Sequence, residues 1–221
     1  MERTLYTGNR NASSWAFRAW LALKEADVDF KEELVDIRRP QRWQNFNALS
    51  ELSPSATVPL LVDKEAVIFD SLAIMEYAND LSGGKLLPRR PLIAGKARSY
   101  VAWQHSTFSR VCPALSFESA FYPDKRKLTD QEVGGIKRIF DLWETSIATH
   151  QGGYLFGDFS LADIALVPSV VRFSSHYSAD NRWPLVARWT NELLNRHHVK
   201  NWLDEAKECE PIYLPGYYFD S

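Results

Sequence analysis

Apolar residues recur along this chain with two periods, and the points where the period changes mark its elements. Residues 3–7, RTLYT, read as a short strand. A polar turn follows, and then a helical pattern from about Ser14 to Ala26 with Phe17, Leu21 and the neighbouring Trp20 on one face. VDFKEELVDI (28–37) alternates in part, as a half-buried strand does, and RPQRWQNFNAL (39–49) reads as a short, irregular helix. Two β-rich runs, 58–62 and 66–69, flank the turn Asp63-Lys64-Glu65 and predict a hairpin. DSLAIMEYANDL (70–81) predicts a helix with an Asp/Ser start and a Gly-Gly stop. The order is β-α-β-α-β-β-α.

GGKLLPRRP (83–91) gathers glycines, prolines and basic residues and is the best domain boundary. Beyond it strand signals nearly vanish. Residues 92–112 and 129–150 carry long helical patterns, SLADIALVPSVVRF (160–173) is a strongly apolar helix, and 185–207 give one or two more. The tail EPIYLPGYYFDS, with two prolines and four aromatics, is expected to be irregular. The pattern thus predicts an α/β domain over 1–82, a linker over 83–91 and an all-helical domain over 92–221 ending in an aromatic tail.

Composition narrows the class. The 221 residues are 45% hydrophobic and 24% charged, a profile of folded rather than disordered chains. A net charge of −2 gives no field favouring nucleic acid or an anionic membrane. No run approaches the roughly 20 apolar residues of a membrane span, and the charged start MERTLYTGNR lacks a signal-peptide core. Cys112 and Cys209 are far apart and make no metal-type pair, which fits a reducing, cytoplasmic setting. Cys112 reads as a small apolar core residue. His197 and His198 are adjacent, so they diverge on a helix and cannot chelate; no metal is expected.

Three small features carry candidate chemistry. The turn NASS places Asn11, Ser13 and Ser14 before a helix that needs only one N-cap, which leaves polar groups at the positive end of that helix. Val58-Pro59 enters a strand; it is either a plain strand-start proline or a cis peptide that leaves the Val58 backbone open to a peptide-like ligand. Asp70-Ser71 opens a helix; it either caps that helix or takes both charges of an α-amino acid head, the carboxylate on free N–H groups and the ammonium on Asp70. A fourth, Ser160-Leu-Ala-Asp163, reads as a structural capping box.

Taken in order across nearly the whole chain, NASS, TVPLL, FDSLAI, a Gly/Pro linker and SLADIAL resemble the glutathione S-transferase family, bacterial-type and cytosolic, with SSW similar to the zeta class. The resemblance implies a thioredoxin-like N-terminal domain, a helical C-terminal domain, and glutathione held between them. It implies that Val58 and Pro59 pair with the cysteinyl backbone and that Asp70 and Ser71 hold the γ-glutamyl head. It assigns the glycyl carboxylate to Arg38, Arg39 or Arg42, with Arg39 central among them. Family members place a Ser, Cys or Tyr on the thiol. Aligned on ALKE that position falls on Asn11, whereas a looser turn brings Ser13 there; Ser13 is preferred because a hydroxyl donates to a thiolate from the first turn. Ser14 is the third candidate in that turn. No Cys stands in the turn, so no stable glutathione disulfide is expected. The implied activity is conjugation of the glutathione thiolate to a small apolar electrophile, with Trp103 and Phe108 offered as its second site. The alternatives are a maleylacetoacetate-type isomerase, or a glutathione or hydrophobic-ligand binder without turnover. The family also implies a homodimer, with no nucleic-acid or membrane partner.

Overall fold

The computed structural model describes residues 3–108 and 115–218. Cys112, expected in the core, lies outside them. The chain divides into two compact units: Met1–Leu86 with Asn201–Ile212, and Leu87–Lys200 with Tyr213–Ser221.

The first unit runs β1 (Arg3–Gly8), α1 (Ser14–Glu25), β2 (Lys31–Val35), α2 (Arg42–Leu49), β3 (Leu60–Asp63), β4 (Ala66–Phe69) and α3 (Ser71–Leu81), the predicted order. The sheet order is β2-β1-β3-β4. β1 lies parallel to β2, antiparallel to β3 with Tyr6 opposite Leu60, and β3 closes a hairpin with β4. Leu5, Phe17, Leu21, Leu61 and Ile74 are fully buried, so the apolar stripe of α1 and one face of the sheet share one core. Phe46 and Leu49 of α2 pack on Val58 and Leu60, with Tyr6, Val35 and Ile37 alongside. This is the thioredoxin-like arrangement that the resemblance implied. Asn201–Ile212 also belongs to this unit, whereas the sequence pattern had assigned everything after residue 91 to the helical domain. Trp202 explains the difference: fully buried, it stacks on Phe17 of α1 at 4.7 Å.

The second unit holds α4 (Pro91–Ser106), a 3-10 turn (Glu118–Phe121), α5 (Asp130–His150), α6 (Leu161–Ser174), α7 (Pro184–Asn195) and the start of α8 (His197–Lys207). Pro91 and Pro184 open α4 and α7, at the position where a missing N–H does no harm. Trp143, Phe173, Trp183 and Trp189 are essentially inaccessible and make its aromatic core. Asp163 sits at the N-terminus of α6 and is fully buried. It accepts from the backbone N–H groups of Leu155 (3.2 Å) and Ser160 (2.9 Å), from the Ser160 hydroxyl and from the Trp189 indole (2.9 Å). SLAD is therefore a capping box, as expected, and also the anchor of the 155–160 loop and of α7.

Candidate functional site

The turn between β1 and α1 is built by short-range hydrogen bonds. Asn9 O accepts from the N–H groups of both Ala12 and Ser13 at 3.0 Å, and Asn9 Oδ1 accepts from Ile37 N–H at 2.8 Å. Ser13 is the N-cap of α1: its Oγ accepts from Ala16 N–H at 3.2 Å. Among the described residues its hydroxyl proton has no acceptor. Ser14 is the first helical residue, and its hydroxyl and carbonyl face the Arg18 guanidinium. Asn11 is 1% exposed; its Nδ2 donates to the carbonyl of Glu210 at 2.8 Å, while its Oδ1 is buried with no hydrogen-bond partner.

Gly8 brings this turn against Val58. A Cβ on Gly8 would lie 2.8 Å from Ser13 Cβ, 2.9 Å from Ile37 Cδ1 and 3.2 Å from Val58 Cγ2. Real side chains do not approach so closely, so only glycine lets the three segments meet. Val58 is buried, and the Val58–Pro59 peptide is cis, as the functional reading of that pair expected. Val58 precedes the first ladder residue of β3, and among the described residues its N–H and C=O make no hydrogen bond. An extended peptide could use both as a neighbouring strand would.

Asp70 caps α3 by accepting from Leu72 N–H at 2.8 Å, and it has φ 76°, ψ 133°. Such a backbone is uncommon outside glycine and clusters at functional sites. Ser71, its neighbour, is 3% exposed in the first turn. The helix N-terminus with one carboxylate beside it can take a zwitterionic amino-acid head.

The three arginines are distinguished by what already holds them. Arg38 forks onto Asp36 at 2.9 and 2.8 Å, and its hydrogen bonds pull the Asp36 carboxyl down to about 2. Arg42 lies over the rings of Trp43 and Phe46. Arg39 is exposed and, among the described residues, makes no hydrogen bond or ion pair. In the second unit Trp103 is half-buried, but Phe108 is 1% exposed, packed between Trp103 (4.8 Å) and Phe173 (6.4 Å). The structure thus places Phe108 behind Trp103 rather than on a surface. Among the described residues there is no His/Cys/Asp/Glu group that could hold a metal, and no helix long and apolar enough to cross a membrane.

Sequence reasoning missed Gly8, Asn9 and the 201–212 segment. Gly8 had a signal, a glycine ending a strand just before the polar turn; the other two had none.

Residues 12–81 match the family described as "Glutathione S-transferase, N-terminal domain", and residues 126–192 match "Glutathione S-transferase, C-terminal domain". The chain is 27% identical to "Glutathione S-transferase 1" of Dianthus caryophyllus over 92% of this chain and 95% of that protein. It is 29% identical to "Probable maleylacetoacetate isomerase" of Caenorhabditis elegans over 86% and 87%. Among solved structures, an epsilon-class glutathione S-transferase from the housefly Musca domestica superposes with TM-score 0.75 at 18% identity, covering 94% of each chain. A glutathione transferase homologue from Burkholderia, solved with bound glutathione, gives 0.68 at 21% identity, covering 95% of this chain and all of that one.

Proposed function

The chain belongs to the glutathione S-transferase family and is an enzyme of that class, and from this premise we propose that it binds glutathione across Val58 and Asp70 and activates its thiol at Ser13. The observation that carries the reading is the meeting of Ser13 and Val58 on Gly8. It sets a spare hydroxyl at a helix N-terminus beside an open strand edge. Glutathione's cysteinyl unit pairs with Val58, its γ-glutamyl head sits on Asp70 and the α3 N-terminus, and its glycyl carboxylate meets Arg39. The bound glutathione in the Burkholderia homologue supports binding of this ligand.

A free thiol titrates at about 8.5. The Ser13 hydroxyl donating to sulfur, together with the N-terminal end of α1, stabilises the thiolate and lowers that value. The thiolate then attacks an electrophilic carbon, forming a C–S bond, and the leaving group departs with its electron pair. Asn11 fits the thiol role less well. One of its N–H groups is taken by Glu210 O, and its open atom is an acceptor, which favours a thiol over a thiolate. The electrophile is read as small and apolar.

The test is the ultraviolet thiolate absorbance of bound glutathione against pH. Ser13→Ala removes a hydrogen bond to a charged acceptor worth about 1.5–3 kcal/mol, so the titration moves up by roughly one to two pH units. Asn11→Ala and Ser14→Ala leave it in place. A shift in Asn11→Ala alone would falsify the Ser13 assignment. The isomerase-named relatives favour a second reading in which the same thiolate adds reversibly to a maleyl substrate; turnover of such a substrate, compared with an aryl halide, separates the two.

A further inference from the structure

Arg10 stands in the same turn as Ser13 and is held from four directions. Its guanidinium forks onto Glu32 of β2, Nη1–Oε1 2.5 Å and Nη2–Oε2 2.9 Å. Its Nε donates to Glu205 of α8 at 2.6 Å. The guanidinium carbon lies 4.1 Å from the centre of the Trp202 ring, and the Trp202 indole N–H donates to the Arg10 carbonyl at 3.0 Å. Glu32 also accepts from Thr7 Oγ1 (2.6 Å) and Trp20 Nε1 (3.1 Å). Burial opposes its charge, but these donors and Arg10 outweigh it and hold the carboxyl below its ordinary range. The next residue, Asn11, is tied to Glu210 of the same late segment.

Stability alone is a poor account of this arrangement. Glu205 is 56% exposed, and an ion pair at that exposure contributes little. A desolvated guanidinium–carboxylate pair is not more stabilising than apolar packing of the same volume. What four directional contacts on one residue do supply is a fixed position, for side chain and main chain alike. The thiol chemistry needs that: a hydrogen bond to sulfur decays within an ångström of misplacement.

We propose that Arg10 is a positioning residue for the thiol chemistry, with Trp202 and Glu205 of α8 completing a clamp that keeps the Asn9–Ser13 turn aimed at the glutathione sulfur. The proposal rests on the reading of that turn as the thiol site. It gives Asn201–Ile212, which sequence patterning assigned to the other domain, a role in the N-terminal unit's chemistry.

The test compares Trp202→Phe, which keeps an aromatic ring but deletes the N–H to Arg10 O, with Arg10→Lys, which keeps the charge but loses the fork. Glu205→Gln alters an exposed side chain and keeps the test open if either buried variant unfolds. Thiolate absorbance of bound glutathione is titrated, and glutathione affinity is measured by calorimetry. In Trp202→Phe and Arg10→Lys the titration is expected to rise by about half to one pH unit, roughly three- to ten-fold less thiolate at a given pH. In Glu205→Gln the loss is about two-fold, because the pair is solvent-screened. Affinity stays within about two-fold throughout, since Val58 and Asp70 are untouched. An unmoved titration in the folded variants overturns the proposal. So does an affinity loss as large as the thiolate loss, because the clamp would then be general scaffolding. Ser13→Ala is run in parallel. If the clamp variants shift and Ser13→Ala does not, the Ser13 reading fails, and Arg10 is kept as positioning the turn's N–H groups.

Discussion

At the scale of single residues, Gly8 gives a sharp prediction. In Gly8→Ala the new methyl meets Ser13, Ile37 and Val58 at once, and each belongs to a different segment held by its own contacts. Overpacking of this kind costs about 1–3 kcal/mol. The melting temperature is therefore expected to fall, and calorimetric titration with glutathione is expected to show weaker binding even well below it. Native-like affinity in Gly8→Ala would remove the meeting of Ser13 and Val58 from the site. Asp70 separates capping from binding. Asn is an equally good N-cap and tolerates positive φ, so Asp70→Asn is expected to melt like the parent. Loss of the charge facing an ammonium weakens glutathione by about 1–2 kcal/mol, near ten-fold, in the same titration. Asp70 and Ser71 were legible because a cap before an apolar run leaves a one-dimensional signature. Gly8 showed only as a glycine ending a strand, because the close approach that requires it joins positions 13, 37 and 58 and exists only after folding. Ser13 was preferred to Asn11 on donor chemistry alone; the group that occupies the Asn11 amide comes from residue 210 and leaves no trace in the turn's own sequence.

At the scale of elements, caps decide the predictions. Ser13 caps α1, so Ser13→Ala carries a stability loss of about 1 kcal/mol beside its effect on the thiol, while Ser14→Ala stays within about 0.5 kcal/mol. Melting curves of the two variants check the order. For α6 the stakes are higher. Asp163→Ala strands the Leu155 and Ser160 N–H groups and the Trp189 indole in the interior of the helical unit. A loss of about 3–5 kcal/mol is expected in urea unfolding, with residual folded protein still binding glutathione. A variant that melted normally but bound no glutathione would move Asp163 out of this structural role. Every named strand and helix was legible from periodicity and its punctuation. β2 and α2 were read longer than they are, since their flanks (28–30 and 39–41) keep the apolar or polar rhythm while the ladder of β2 begins only at Lys31 and the helical residues of α2 only at Arg42. The 3-10 turn at Glu118–Phe121 left no trace, being too short to show a period.

At the scale of the whole molecule, the division into an α/β and a helical unit followed from where strand signals stop. The return of Asn201–Ile212 to the first unit did not, because amphipathicity says that a helix has a buried face and not which core receives it. The homodimer rests on the family resemblance alone, and its test is sedimentation at micromolar concentration, where twice the 25.4 kDa chain mass is expected. The pH dependence of stability joins the scales. Glu132, drawn down to about 2 by hydrogen bonds from Arg126, contributes stability that is present above its unfolded value and lost as pH falls through about 2. Burial pulls His176 down too, so its charging on acidification also opposes folding. Asp163 has the opposite sign. Burial raises it to about 6, against an unfolded value near 3.8. Its contribution is fully present below about 3.8 and is lost as pH rises through about 6. That is about two pH units at about 1.36 kcal/mol each, roughly 3 kcal/mol lost between pH 4 and 7. Asp163→Asn cannot titrate, and Glu132 and His176 act alike in both proteins. The stability of the parent minus that of Asp163→Asn therefore isolates this one carboxyl. The difference is expected to shrink steadily between pH 4 and 7 in urea unfolding. A difference that stayed constant over that range would mean that the four donors around Asp163 hold it ionised and that burial does not govern its charge.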